Sequence, residues 1–236
     1  MILVCAATGT EAGECRRGLA GAAGFEVLAV GVGPERAAAA LSRRLSGPGA
    51  RPALVVSAGF AGALTPGLPP LFWATASALY RLDGGRAVPV ALPPGALRVA
   101  AGATACAFLT AGEVLSAGAP AALTGPLAVD MESAGLAEVA AAAGIPAAVL
   151  RLVTDAPERP LPPLAHALAG ALGARGLAAR ATHAARAAAE AARHPAQAAA
   201  FLRDTASWRE RLREGWRERA ARGFEAELSP GSTVAT

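Results

Sequence analysis

The sequence of 236 residues contains few aromatic residues and only three cysteines. It contains no lysine, so all 22 of its lysine or arginine positions are arginine. Glycine, proline or arginine interrupts each apolar run before the ~18 residues that a membrane-spanning helix needs. The odd number of cysteines and the lack of a C-x-x-C pair predict neither a disulfide framework nor a zinc site. We therefore expect a soluble protein in which Cys5, Cys15 and Cys106 serve as small apolar residues.

The composition is that of a globular domain, with 53% hydrophobic and 17% charged residues. A chain of this length is enough for one compact domain. The net charge of +4 is mild, but about half of the arginines lie between residues 175 and 222. The apolar start Met1–Cys5 has no preceding basic region, which predicts a buried strand rather than a signal peptide and a cytoplasmic location.

The first sixty residues alternate between strand-like and helix-like segments, which is typical of a parallel α/β sheet. The predicted strands are Ile2–Ala7, Phe25–Val30 and Ala53–Ser57, and the predicted helices are Thr10–Gly18, behind a threonine cap, and Glu35–Leu45.

Residues 71–109 are predicted to form a β-rich meander, and the α/β alternation returns after this segment. The meander strands are Leu71–Leu82, Ala87–Ala91, Leu97–Ala101 and Thr104–Leu109; strand Leu127–Val129, helix Met131–Ala143 and strand Ala147–Val153 follow. Beyond Pro163 the chain is predicted to be helical, with breaks at 173–176 and 194–195. We predict a three-layer α/β/α sandwich with a mixed central sheet and extra C-terminal helices: an α/β domain over 1–193, a basic helical extension over 194–228 and a flexible tail over 229–236.

Acidic residues follow three of the predicted strands, where the carboxyl ends of strands form the ligand crevice of an open α/β sheet. Glu11 follows the first strand, Asp130 and Glu132 follow Leu127–Val129, and Asp155 follows Ala147–Val153. Each acid taken singly is equally suited to capping a helix. Together they indicate a site rich in carboxylates.

Four motifs carry a resemblance to the nucleoside phosphorylase/nucleosidase superfamily, which includes 5′-methylthioadenosine/S-adenosylhomocysteine nucleosidase. They are A-A-T-x-x-E at 6–11, S-A-G-F-A-G-A-L at 57–64, V-D-M-E-S at 129–133 and R-L-V-T-D at 151–155, and the resemblance covers roughly residues 1–163. Within the superfamily, residues 153–163 and His-Pro-Ala-Gln at 194–197 are most similar to the hopanoid-associated phosphorylases, which remove adenine from adenosylhopane. Futalosine hydrolases resemble the start of the chain, but typically carry Asn where this chain has Asp155, and rank lower.

The resemblance implies roles for individual residues in breaking an N-glycosidic bond. Asp155 matches the acid that protonates N7 of the purine, and Glu11 the residue that positions or deprotonates the attacking water. Glu132 matches the carboxylate that holds the ribose hydroxyls, with Met131 beneath the sugar and Thr8 on the ribose or nucleophile side.

Further residues are assigned to the base and the nucleophile by the same resemblance. Phe108 and Leu109 match the segment that stacks on the base and reads its edge, although Phe108 suits the apolar core equally well. The backbone at Ala61 and Gly62 approaches the ligand, and Gly31 and Gly33 form the loop for phosphate or water. Phe60 replaces a small hydroxyl residue of the family, so phosphate as co-substrate stays open, and Arg36 as its ligand is less expected than a surface arginine.

These inferences predict an enzyme that cleaves a purine nucleoside with adenine as the favoured base, by phosphorolysis or hydrolysis, on a small molecule or a lipid-linked adenosyl substrate. The alternatives are a futalosine or methylthioadenosine/S-adenosylhomocysteine hydrolase, and a non-catalytic relative that binds nucleosides or membranes. We expect no metal or organic cofactor, because His166, His183 and His194 lack ligand spacing. A homo-oligomer is expected from the resemblance, and no nucleic-acid partner.

The stretch from Trp208 to Arg219 mixes acidic and basic residues at helical spacing. It predicts a solvated amphipathic helix. The alternative is peripheral membrane association, in which its two tryptophans and many arginines contact an anionic surface.

Overall fold

The computed structural model describes residues 1–92, 102–115, 120, 122–174 and 176–222. Within these residues one mixed sheet of eight strands lies between two layers of helices, so the predicted three-layer α/β architecture is confirmed. The strands are β1 (Ile2–Ala6), β2 (Phe25–Ala29), β3 (Leu54–Ala63), β4 (Trp73–Asp83), β5 (Arg86–Val90), β6 (Thr104–Thr110), β7 (Leu127–Asp130) and β8 (Ala147–Asp155). The helices are α1 (Gly9–Gly18), α2 (Pro34–Ser46), α3 (Ser133–Ala142), α4 (Pro163–Gly173), α5 (Leu177–Arg193) and α6 (Pro195–Arg222).

Strand β3 is the centre of the sheet, because three other strands pair with it. It pairs parallel to β1 on one side and parallel to β8 on the other, and its last residues pair antiparallel to β7. Strand β8 also pairs antiparallel to β4. Since β4 pairs with β6 and β6 with β7, the strands β3, β8, β4, β6 and β7 close into a small ring.

The predicted strand positions hold, but two strands are longer than expected. Strand β3 continues to Ala63, beyond its predicted end at Ser57, and β8 extends to Asp155, beyond its predicted end at Val153. The middle of the chain is not a simple meander, since β4 forms a hairpin with β5 but pairs parallel to β6. The predicted strand Leu97–Ala101 and the tail at 229–236 lie outside the described residues.

Each helical layer covers its own apolar cluster. Helices α1 and α6 cover the face of the sheet that carries Val4, Val56 and Leu150. Helices α2 and α3 cover the opposite face, which carries Leu3 and Val55. A third cluster, which includes Leu79, Phe108 and Val153, fills the ring. Alternate residues of β1 and β3 thus enter opposite layers, as the two-residue period of a strand requires.

Helix α6 carries many exposed residues, but one of its faces is part of the core. Leu212 and Trp216 are fully buried in the cluster beneath α1, and Gly215 lies directly against the ring of Trp73. The guanidinium of Arg219 lies 4.2 Å from the centroid of the same ring. Trp216 is therefore not free to contact a membrane, and the membrane alternative loses one of its two apolar anchors. No helix among the described residues is long and apolar enough to cross a bilayer.

The contact between α1 and α6 gives a test of this packing. A Cβ atom at Gly18 would overlap the carbonyl oxygen of Arg213 and lie 2.7 Å from Trp216 Cβ. We expect Gly18→Ala to lower the free energy of unfolding by about 1–3 kcal/mol, the usual range for overpacking. Gly13→Ala, in the same helix, is the matched control, because the nearest atom there is the flexible end of Arg17 at 3.9 Å.

The control is expected to be neutral or slightly stabilising, since alanine favours a helix over glycine by about 1 kcal/mol. Urea unfolding monitored by circular dichroism measures both variants. Equal stability of the two variants would contradict a close α1–α6 contact.

Candidate active site

The candidate site lies beside β3, where one neighbouring strand ends before the next begins. Strand β1 pairs with β3 only as far as Ala58, and β7 begins to pair with it at Gly62. Phe60 lies in the gap between them. Such a point, where the connections of the sheet diverge at the carboxyl ends of the strands, is the usual ligand crevice of an α/β fold.

Glu11 enters this gap from the first turn of α1, and Thr8 fixes its orientation. The hydroxyl of Thr8 accepts the N–H of Glu11, and Glu11 Oε2 accepts the backbone N–H of Thr8 at 2.9 Å, which together form a capping box. The same hydroxyl donates to Glu11 Oε2 at 2.7 Å. The other oxygen, Oε1, accepts the N–H of Phe60 at 3.1 Å. Gly59, with φ of +127°, leaves room for this carboxylate, because a Cβ atom there would overlap Glu11 Oε1. Thr8 thus orients Glu11 as the helix cap.

Arg151 is the centre of the site, and its side chain is almost completely buried. Its Nη2 lies 3.1 Å from Glu132 Oε2 and donates to Ser57 Oγ at 2.8 Å. Its Nη1 donates to the carbonyl oxygen of Phe60 at 3.1 Å, and its Nε lies 3.3 Å from Asp130 Oδ2. One guanidinium therefore connects β8 to β3, to the end of β7 and to the start of α3.

Asp130 holds the turn between β7 and α3 in place. Its Oδ1 accepts the hydroxyl of Thr110 at 2.8 Å and the N–H groups of Glu132 and Ser133 at 3.2 Å. Its Oδ2 accepts the hydroxyl of Ser133 and lies next to Arg151. These hydrogen bonds fix the turn, so Asp130 positions its neighbours.

Glu132 links the arginine to the glycine loop that precedes α2. Its Oε1 accepts the N–H of Gly33 at 3.0 Å, while Oε2 contacts Arg151. Gly33 has a φ of +102°, a backbone conformation that glycine adopts readily. The carboxylate thus reaches the position where the sequence analysis expected an anion to bind.

Asp155 ends β8 opposite Gly62 of β3. A Cβ atom at Gly62 would lie 2.7 Å from Asp155 Oδ2, so the missing side chain leaves the space that the carboxyl group occupies. The hydroxyl of Thr154 donates to Asp155 Oδ1 at 2.9 Å. Asp155 is only partly buried, whereas Glu11, Asp130 and Glu132 are buried. It is the most accessible of the four predicted acids.

Burial and neighbouring charges shift the pKa values in this site. Burial raises the pKa of Asp155 to about 6, and the hydrogen bond from Thr154 opposes this shift. Burial also raises the pKa of Glu132, against the attraction of Arg151. For Arg151, burial acts to lower the pKa, but the charges of Asp130, Glu132 and Glu11 outweigh it and raise the pKa above its ordinary value. The guanidinium therefore stays charged.

The remaining predicted residues divide between the site and the core. Met131 is partly exposed between Asp130 and Glu132, and Ala61 lies beside Gly62 on β3. Phe108 is fully buried in the apolar cluster inside the ring, so the structure favours its core alternative over stacking on a base. Leu109, the next residue of β6, is also fully buried.

The glycine loop and Arg36 are already engaged by the protein. The N–H of Gly31 donates to the carbonyl oxygen of Ala7, and that of Gly33 to Glu132. Arg36 donates to the carbonyl oxygens of Leu172 and Ala174 at 2.7 Å, which caps the C-terminal end of α4. Arg36 thus joins the α4–α5 pair to α2.

The sequence analysis missed the role of Arg151, although the motif R-L-V-T-D contained it. An arginine within an otherwise apolar strand was the available signal, since such a charge is buried only when it is paired. Ser57, Gly59 and Ser133 were missed as well, because their contacts join segments far apart in the sequence. Among the described residues, no three histidine, cysteine or acidic side chains are grouped as metal ligands.

Known proteins share sequence and fold with this chain. Residues 97–203 match the phosphorylase superfamily. A futalosine hydrolase from Streptomyces coelicolor is 38% identical over 158 residues, which cover 56% of this chain and 67% of that protein.

Solved structures share the fold at lower sequence identity. An S-adenosylhomocysteine nucleosidase from Streptococcus pyogenes, in complex with 5-methylthiotubericidin, is 18% identical with a TM-score of 0.56, covering 67% of this chain and 85% of that one. The 5′-methylthioadenosine/S-adenosyl homocysteine nucleosidase of Helicobacter pylori is 17% identical with a TM-score of 0.54, covering 65% and 84%. The motifs, the fold and the futalosine hydrolase relative together show that the chain belongs to the phosphorylase superfamily.

Proposed function

We propose that this protein hydrolyses the N-glycosidic bond of a purine nucleoside. The observation that carries the proposal is the carboxyl group of Asp155, whose pKa is raised to about 6 at the accessible end of β8. It lies four residues beyond Arg151 on the same strand, which is roughly 13 Å of extended chain. Arg151 in turn contacts the buried carboxylates of Asp130 and Glu132. The two positions suit a ligand of two parts, with the base at Asp155 and the sugar at Glu132.

In the proposed reaction, the bond between C1′ of the sugar and the purine nitrogen breaks, and its electron pair goes to the base. Asp155 donates its proton to a ring nitrogen of the base, which makes the base a better leaving group. A water oxygen forms the new bond to C1′, and Glu11 accepts a proton from that water. Glu132 binds the sugar hydroxyls, and its negative charge stabilises the positive charge that develops on the sugar.

Water suits this site better than phosphate because Arg36, Arg151 and the N–H groups of Gly31 and Gly33 already have partners within the protein. Arg151 binds two carboxylates, and Arg36 binds the end of α4. Gly33 donates its N–H to Glu132 rather than to a free anion. A phosphate dianion entering here would meet the charges of Glu11, Asp130 and Glu132, and like charges at close range repel.

The finer substrate assignment rests on the relatives and on the residue at position 155. The Streptomyces coelicolor relative is named a futalosine hydrolase, which favours a futalosine-type nucleoside. An aspartate at position 155 favours an adenine nucleoside, and this includes methylthioadenosine, S-adenosylhomocysteine and the lipid-linked adenosyl substrate of the sequence analysis.

Release of free base from each of these nucleosides, with and without phosphate in the buffer, tests the proposal. We expect release that does not depend on phosphate and that yields the free sugar. Release that requires phosphate and yields a sugar phosphate would identify a phosphorylase instead. No release from any purine nucleoside would favour the non-catalytic alternative.

Asp155→Asn removes the proposed proton donor and changes little else in size. We expect kcat to fall by about 10²–10⁴-fold, the usual contribution of a positioned general acid. Asp204→Asn is the matched control, because Asp204 pairs only with the exposed Arg159 in the described contacts. Steady-state kinetics on the best substrate of the panel measures both variants. An unchanged kcat in Asp155→Asn would contradict the assignment.

The pH dependence gives a second test of the same carboxyl group. Because Asp155 must be protonated to act as an acid, we expect kcat/KM in the free enzyme to fall as the pH rises above about 6. Thr154→Val removes the hydrogen bond that lowers the pKa of Asp155, so the falling limb moves to higher pH. The measurement is kcat/KM from pH 4 to pH 9 in the unaltered protein and in Thr154→Val. A shift to lower pH would show that another group controls it.

A further inference from the structure

The peptide groups of Phe60 connect the two most important side chains of the site. Its N–H donates to Glu11 Oε1 at 3.1 Å, and its carbonyl oxygen accepts from Arg151 Nη1, also at 3.1 Å. The positions of the proposed water-side base and of the buried guanidinium therefore both depend on where this one residue lies.

The sheet holds Phe60 on one edge only, where it pairs with Leu152 of β8. Gly59 precedes it with a φ of +127°, and the register between β3 and β8 shifts one residue beyond it, between Ala61 and Gly62. On the other edge, Phe60 lies in the gap between the end of β1 and the start of β7. An irregular backbone of this kind keeps its conformation only when surrounding contacts determine it.

The side chain of Phe60 supplies such a contact, because it packs on α6. Its ring centroid lies 6.3 Å from that of Trp208, with an angle of 60° between the rings. Trp208 in turn meets the ring of Phe201 edge to face, at 5.7 Å and 77°. Both separations lie within the range of favourable aromatic pairs. We call Phe60, Phe201 and Trp208 the aromatic cluster.

Helix α6 presents Trp208 from a fixed position. The next residue, Arg209, binds the buried carboxylate of Glu14 in α1 at 2.9 Å, and Trp216 lies two turns further along in the core. Because α1 also carries Glu11, α6 is anchored to the same helix that supplies the proposed base. The aromatic cluster is thus held by β3 through Phe60 and by α6 through Trp208.

We propose that Trp208 is a positioning residue for the reaction, which acts through the ring of Phe60 on the peptide that orients Glu11 and Arg151. The inference rests on the proposed function for its kinetic effect. A displacement of about 1 Å at a reacting group can cost 10²-fold in rate, so a loosened Phe60 lowers kcat although Trp208 itself contacts no reacting atom.

Three variants test this role in the full chain. We expect Trp208→Ala to lower kcat about tenfold or more while KM changes less than about threefold, since the reacting groups are displaced but the substrate contacts stay. Trp208→Phe keeps an aromatic ring and is expected to recover most of kcat. Arg211→Ala is the matched control, because its described ion pair is with Glu218 of the same helix and plays no part in anchoring Trp208.

Hydrogen exchange of the backbone supplies a readout that does not need activity. The amide of Phe60 is expected to exchange faster in Trp208→Ala than in Arg211→Ala, with the two compared at equal distances below their melting temperatures. If the unaltered protein releases no base, the proposed function fails, and the exchange rates alone decide on the positioning role.

The double variant Phe60→Ala/Trp208→Ala tests whether Trp208 acts through Phe60. Because Trp208 acts through Phe60, its substitution is expected to add little once the ring of Phe60 is gone. Additive losses in kcat would overturn the proposal, and so would an unchanged kcat and exchange rate in Trp208→Ala. A rise in KM alone would place Trp208 in contact with substrate and would also overturn it.

Discussion

The buried guanidinium of Arg151 is the interaction on which the rest of the site depends. It lies where β1 has ended and β7 has not yet begun, and it bridges this gap with its contacts to Asp130, Glu132 and the carbonyl oxygen of Phe60. Removal of one partner from a buried ion pair typically costs about 3–5 kcal/mol, because the other charge is left without compensation. The residues around Arg151 are therefore constrained as a group, and the constraint extends from β3 to α3.

Two glycines are as important to the site as the charged side chains. Gly59 and Gly62 leave the spaces that the carboxyl groups of Glu11 and Asp155 occupy, on opposite sides of Phe60. The two acids consequently lie in different surroundings. Asp155 is close to the surface and has one hydrogen bond from Thr154, whereas Glu11 is buried and held by Thr8 and Phe60. Different surroundings allow two carboxyl groups of one site to serve as acid and as base.

Helix α6 connects this chemistry to the far end of the chain. Its last turns pack beneath the sheet, where Trp216 is buried, and its middle presents Trp208 to Phe60. An exposed ion pair between Arg159 and Asp204 also joins the segment after Asp155 to the same helix. Exposed pairs contribute little to stability, so the packing of the tryptophans rather than this pair keeps α6 in place.

The sequence by itself determined the alternation of strands and helices, the helix cap at Thr8 and the acids at the ends of β1, β7 and β8, because these depend on neighbours in the chain. Only the tertiary structure decided that β3 continues through Gly59 and Gly62, that Phe108 fills the core and that α6 completes it. The same holds for Arg151, whose partners are 19 to 94 residues away. Periodicity reports which face of an element is apolar, whereas these contacts exist only after the sheet has brought distant segments together.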